Sequence, residues 1–220
     1  QSPNYLRIGA LTEFDGTVWR RKQFIRLNDN SASAQLIGLP TDTPQVQYSV
    51  AIESLENRLL PLPYPALSVE GLSGRWSIDA LTLTVFSDRD AASGQNYTVN
   101  AFDVAPDPED LRKITTTELE QNPPLGTKRD WLAYPADVDP EFLTITDEVI
   151  AGANTPYTRA LAIQNWFRNS FTYSLSTAGD SSTSPLMSFI NDRSGYCEQF
   201  AGAMALMARI AGIPSRVVIG

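Results

Sequence analysis

The 220-residue sequence contains no histidine and a single cysteine, Cys197. Without histidine, no Cys-His or Ser-His pair can form within the chain. With one cysteine, no internal disulfide can form. Together the two absences remove the usual zinc, copper and haem ligand sets, and no cofactor or metal is expected. Basic residues are scarce: 17 Lys and Arg face 25 Asp and Glu, a formal net charge of −8. So acidic a chain is unsuited to a phosphate backbone and to an anionic bilayer, so nucleic acid is excluded as a partner. No run approaches the roughly 18 apolar residues of a membrane helix, and Gln1 opens no signal peptide. Internal repeats and low-complexity tracts are also missing. What is present is globular in character, 42% hydrophobic and 19% charged, enough to bury real cores.

The first half reads as strand. Tyr5 to Phe14, the Asp15-Gly16 pair, and Thr17 to Ile25 suggest two strands about a turn. Val46, Tyr48, Val50 and Ile52 alternate with polar or small residues, as do Leu81, Leu83 and Val85, and Tyr97 to Phe102 is similar. Turn-rich stretches lie at Asn28 to Ser31, Pro61 to Pro65 and Asp88 to Gly94. Strands at this spacing with no helix between them imply an antiparallel sandwich over 1–105. Prolines 106, 108, 123, 124 and 135 then mark a linker over 106–135 with at most one short helix, near Asp110 to Glu120. From 136 to 220 the period becomes helical. Pro140 to Ala151 forms one helix. Thr155 as N-cap and Pro156 at the first position open a second. Phe171 to Leu175 is extended, Ala178 to Thr183 a polar loop, and Pro185 to Asn191 a short helix. Cys197 opens the last helix, apolar nearly all round, with Arg209 its only charge between Phe200 and Ala211. Such a helix lies inside a domain; Gly212 stops it and Pro214 bars its continuation.

The position of Cys197 carries the chemistry. A thiol attacks as the thiolate. A helix N-terminus offers unpaired N–H groups and partial positive charge, which favour that anion and can hold the oxyanion formed when a carbonyl is attacked. A lone cysteine beside an apolar helix is often inert core; its place at the start, not the middle, argues for a nucleophile. Glu198 could tune the site or hold a basic substrate, or be an acid favoured by the helix dipole. Gln199 could donate toward an oxyanion or be solvated. Tyr196 could line the cleft or simply pack. Asp137, Asp139, Glu141, Asp147 and Glu148 read as a helix start and a solvated face, and the four tryptophans as core.

The stretch from Gly195-Tyr196-Cys197-Glu198-Gln199-Phe200-Ala201 through Gly212-Ile213-Pro214-Ser215-Arg216-Val217-Val218 resembles the core motif of the bacterial transglutaminase-like superfamily. Thr158 to Leu175 resembles the family's helix and Tyr-rich strand before the cysteine. Tyr5-Leu6-Arg7 and Phe14-Asp15-Gly16-Thr17-Val18-Trp19 resemble the start of the extracytoplasmic region in its membrane-anchored, TgpA-like group. The resemblance implies an α+β chain: an N-terminal antiparallel β-sandwich followed by the helical half of a papain-like transglutaminase core. It implies a Cys-His-Asp machinery acting on protein or peptide amides through a thioester. Only Cys197 can be carried over, because the family's His and Asp follow the Arg-Val-Val strand. The resemblance therefore implies a segment of a longer membrane-anchored bacterial envelope protein, facing outward and inactive alone, whose Arg216 to Ile219 edge self-associates or is covered by a neighbour. The alternative is a non-catalytic protein-binding or structural module.

Overall fold

The computed structural model describes residues 5–27, 39–121, 131–175 and 184–220. The turn expected at Asn28 to Ser31 and the loop at Ala178 to Thr183 lie outside them. The largest sheet has three antiparallel strands, β4 (Gln45–Ala51), β8 (Asn96–Phe102) and β5 (Ala66–Glu70), with β8 in the middle. β4 pairs in full register from Gln45 opposite Phe102 to Ala51 opposite Asn96. The alternation read at Val46 to Ile52 is therefore a strand, and Tyr97, Val99 and Ala101 point from β8 into a core. Other strands form short ladders: β2 (Glu13–Phe14) with β3 (Trp19–Arg20), and β6 (Ser77–Ile78) with β7 (Val85–Phe86).

Two expectations from periodicity give way to turn chemistry. The alternating Leu81, Leu83 and Val85 do not make one strand. Asp79 Oδ1 accepts from the Ile25 N–H at 2.8 Å, and Oδ2 accepts from the Thr82 N–H at 2.8 Å and the Thr82 hydroxyl at 2.6 Å. These bonds hold a turn and place Leu83 at φ 55°, leaving only Val85–Phe86 for the ladder. The single helix expected near Asp110 is two, α1 (Pro108–Lys113) and α2 (Thr116–Gln121). Ile114 is extended, and Thr115 begins a reciprocal cap with Glu118: Glu118 Oε2 accepts from the Thr115 N–H at 2.7 Å, and Thr115 Oγ1 from the Glu118 N–H at 3.2 Å.

The helical half follows its sequence signals closely. α3 is Pro140–Val149, α4 Pro156–Ser170, α5 Pro185–Asp192 and α6 Cys197–Ile210. Thr155 caps α4 through its hydroxyl on the Thr158 N–H, with Thr158 bonding back. Gly212 takes φ 78° after α6, which ends the helix. β9 (Thr172–Tyr173) and β10 (Ser194–Gly195) pair in parallel, and β11 (Val217–Ile219) closes the order.

Two hydrophobic cores form, and they do not divide at one point in the chain. The first gathers Leu60, Trp76, Ile78, Leu83, Tyr97 and Val99, together with Trp131 from beyond the linker helices. The second gathers Phe142, Ile163, Phe167, Met187, Phe189, Leu206 and Met207, together with Phe14 from the start of the chain. Each fully buried side chain of this size contributes about 1.5–3 kcal/mol. The halves are also joined by strand pairing. β1 (Gly9–Leu11) runs antiparallel to β11, with Gly9 opposite Ile219 and Leu11 opposite Val217. One edge of the Arg216 to Ile219 segment is thus covered by the chain itself, while Val218 and Ile219 keep exposed side chains.

Candidate active site

The backbone before Cys197 is tightly constrained. α5 ends at Arg193, whose φ of 49° turns the chain back, with its N–H on Phe189 O at 3.0 Å. Its guanidinium lies over the rings of Trp166 and Phe171, at 5.6 and 5.7 Å from their centroids. β10 then lies beside β9: the Thr172 N–H bonds to Arg193 O and the Ser174 N–H to Gly195 O, each at 2.8 Å. Gly195 is buried here, and a Cβ on it would come within 2.6 and 2.9 Å of Phe189 ring carbons. A glycine is required by that close approach, not by an unusual dihedral angle.

Cys197 is the first residue of α6 and is exposed. Tyr196, extended at φ −114°, caps the helix with its backbone carbonyl, not its phenol. The N–H groups of Gln199 and Phe200 reach Tyr196 O at 3.0 and 3.2 Å. Gln199 Oε1 turns back to accept the Tyr196 N–H at 3.1 Å, half of a capping box. Gln199 is therefore a capping residue, a role distinct from the oxyanion donor or solvated residue expected from the sequence. The N–H groups of Cys197 and Glu198 have no acceptor among the described residues, as expected of a first helical turn. Glu198 is exposed, and Tyr196 is half-buried. The structure thus brings Tyr196, Cys197, Glu198 and Gln199 together on one turn.

Beneath this turn lies an aromatic floor. Phe200 sits edge-on to Phe189 at 4.8 Å between centroids, and Phe167 and Phe171 complete the cluster. Further along α6, Trp19 Nε1–H donates to Gly202 O at 3.1 Å. Arg209 is 2% exposed. Its Nη2 donates to Thr12 O at 2.6 Å and to Ser215 O at 2.9 Å, its Nη1 to Ala133 O, and its guanidinium lies 4.5 Å above the Trp19 ring. The one charge between Phe200 and Ala211 is thus a clasp on two distant segments and on the turn that follows its own helix. Nothing in local periodicity could have assigned those partners. The acidic residues 137, 139, 141, 147 and 148 are all exposed, and Asp139 Oδ1 caps α3 by accepting the Glu141 N–H at 2.9 Å.

A second arginine, Arg7, is buried against Tyr64, its guanidinium 4.0 Å from the ring centroid and its Nη2 on Thr82 O. Burial first, then the nearby charge of Arg216, pushes it down to about 10. Burial likewise raises the Tyr97 phenol, which donates to Pro61 O at 2.6 Å.

Comparison with known proteins finds matches at both ends of the chain. Residues 143–220 match the transglutaminase-like superfamily, and residues 1–108 match the TgpA N-terminal domain. The "Protein-glutamine gamma-glutamyltransferase" of Pseudomonas aeruginosa is 32% identical over 90 residues, 40% of this chain. The matched stretch spans 14% of that relative's length. Two crystal structures of the periplasmic domain of TgpA from Pseudomonas aeruginosa, one bound to ethylmercury, cover 100% of this chain. Their TM-scores are 0.69 and 0.68 at 21% identity, and the likeness covers 70% and 72% of those chains. The likeness shows the fold: mixed helix and strand, in the arrangement of that periplasmic domain. Residues 143–220 thus resemble the transglutaminase-like superfamily and residues 1–108 the TgpA N-terminal domain, each match covering less than half of the chain.

Proposed function

We propose that Cys197 is the nucleophile of an acyl transfer from protein or peptide amides. The observation that carries the reading is an exposed thiol on the first residue of an α-helix, beside two backbone N–H groups left without acceptors among the described residues. The thiolate attacks a glutamine carboxamide carbon. The oxyanion is held by those N–H groups, the C–N bond breaks, and the nitrogen leaves as ammonia carrying the thiol's proton. An amine or water then resolves the thioester. Tyr196 and Gln199 support the turn, and exposed Glu198 offers a negative charge to an incoming amine. The chain has no histidine, so the base comes from outside these 220 residues and the chain alone turns over no substrate. We place the region on the outer side of the membrane, as part of a membrane-anchored envelope protein. No helix among the described residues is long and apolar enough to cross a membrane.

The missing histidine also favours a second reading, a non-catalytic module that binds protein and keeps the fold. Thioester trapping separates the two. The chain is incubated with a glutamine donor peptide and excess imidazole as diffusible base, then examined by mass spectrometry. The enzyme reading expects a hydroxylamine-labile adduct on Cys197 at the peptide mass less ammonia, abolished by Cys197→Ala. A thiol that alkylates freely yet forms no adduct supports the binding module.

A further inference from the structure

We propose that Tyr173 is the recognition residue for the acyl donor, which binds as an extended peptide with an aromatic or large aliphatic side chain two residues from its reactive glutamine. The inference rests on the reading of Cys197 as a nucleophile and names what that nucleophile is presented with. Tyr173 is 60% exposed and the neighbouring Leu175 80% exposed. Large apolar side chains that protrude side by side mark contact surfaces. Their position is fixed relative to the thiol from two directions.

The first is the strand. Tyr173 stands opposite Gly195, two residues before Cys197, in the β9–β10 ladder. Thr172 and Ser174 spend their N–H groups on β10, so the N–H and C=O of Tyr173 between them face the opposite edge. Among the described residues no strand pairs with that edge. It is short, enough for one residue of an added strand, which suits a peptide that must also be released. The second direction is the helix. The Tyr173 ring stacks on Phe200, with centroids 6.4 Å apart and planes 21° from parallel. Phe200 is three residues after Cys197 on α6, and residues at that spacing share a helix face. The ring is therefore a wall on the thiol's own side of the helix, with an open backbone edge beneath it. A peptide hydrogen-bonded to that edge lays one side chain on the Tyr173 ring. The next side chain on the same face, two residues along, is directed toward the helix that carries Cys197.

The test uses two reagents on the 220-residue chain. Iodoacetamide reports the thiol alone. Short peptides bearing a chloroacetamide group in place of the glutamine carboxamide report recognition, with Phe, Leu, Ser or Asp two residues away. Phe and Leu peptides are expected to label Cys197 with an inhibition constant about tenfold lower than Ser or Asp peptides. Tyr173→Ala should erase that difference and leave the iodoacetamide rate unchanged, and Tyr173→Phe should preserve it. The exposure of Tyr173 means that its truncation opens no cavity in the core. Peptide labelling indifferent to that residue, or to Tyr173→Ala, overturns the recognition role while leaving the nucleophile standing. A thiol that neither reagent labels overturns the nucleophile reading itself.

Discussion

Replacing Arg209 by methionine should destabilise the chain by about 2–4 kcal/mol. Arg209 carries the only charge on the buried face of α6, and its guanidinium is satisfied by the carbonyls of Thr12, Ala133 and Ser215. Methionine keeps most of the volume but supplies no donor. Thr12 is 4% exposed, so its carbonyl would be left buried and unpaired at about 1–3 kcal/mol. The carbonyls of Ala133 and Ser215 are more accessible and can recover water. Loss of the cation–π contact with Trp19 adds about 0.5–2 kcal/mol. Against this, the variant is relieved of desolvating a guanidinium, which keeps the net below the sum of its parts. For a chain of this size the change corresponds to a fall of roughly 4–16 °C in Tm. Urea unfolding at pH 7 measures it, and hydrogen exchange locates it. The amide of Ile8, bonded to Ile219 O at 2.7 Å, and the β1–β11 ladder should lose protection first, because Thr12 is the next anchor along the chain. A loss below about 0.5 kcal/mol, with β1 still protected, would refute the view that Arg209 ties the N-terminal strands to the helix of Cys197.

The same substitution at Arg7 should have a far smaller effect, within about 1 kcal/mol of the parent in the same urea assay or slightly stabilising. Arg7 lacks a hydrogen-bond partner for its Nη1 among the described residues, and its lowered value near 10 means that folding disfavours its charged form. That opposition is full at neutral pH and is relieved as pH rises through 10 toward the ordinary guanidinium range. Gly195→Ala should cost about 1–3 kcal/mol through overpacking against Phe189 and disturb the Gln199 cap, visible as lost amide protection at Tyr196. The Thr17 and Val18 N–H groups lower the Asp15 carboxyl. Its contribution to the β2–β3 turn is full above its ordinary value of 3.8 and is lost as pH falls through the lower folded-state value. NMR shifts of the Thr17 and Val18 amides should titrate in that acid window, and Asp15→Ala should abolish the titration.

The helical half was legible because its signals are local. Thr155-Pro156, Pro185 and Gly212 mark ends whose physics acts within a few residues, and Cys197 fell at the first position of α6 as read. The long motif from Gly195 to Val218 carried the family. The β half was less legible because its decisive interactions are distant or compete with periodicity. Asp79 bonds to Ile25, 54 residues away, and turns what reads as a strand. Phe14 and Trp19 fall in stretches that read as strand, yet they pack in the core of the helical half, which no window of the sequence reveals. Gln199 escaped because its capping partner is a backbone group. The recognition surface at Tyr173 escaped because exposure, not residue type, distinguishes it.

The central claim is that Cys197 is presented to solvent at a helix start and not stored as core. The most direct measurement is its rate of alkylation by iodoacetamide in the native chain against the same chain unfolded in urea, at one pH and with the reagent rate corrected for urea. The account predicts a native rate at least equal to the unfolded one. A native thiol slower by about tenfold or more, protected as a buried cysteine is, would contradict it.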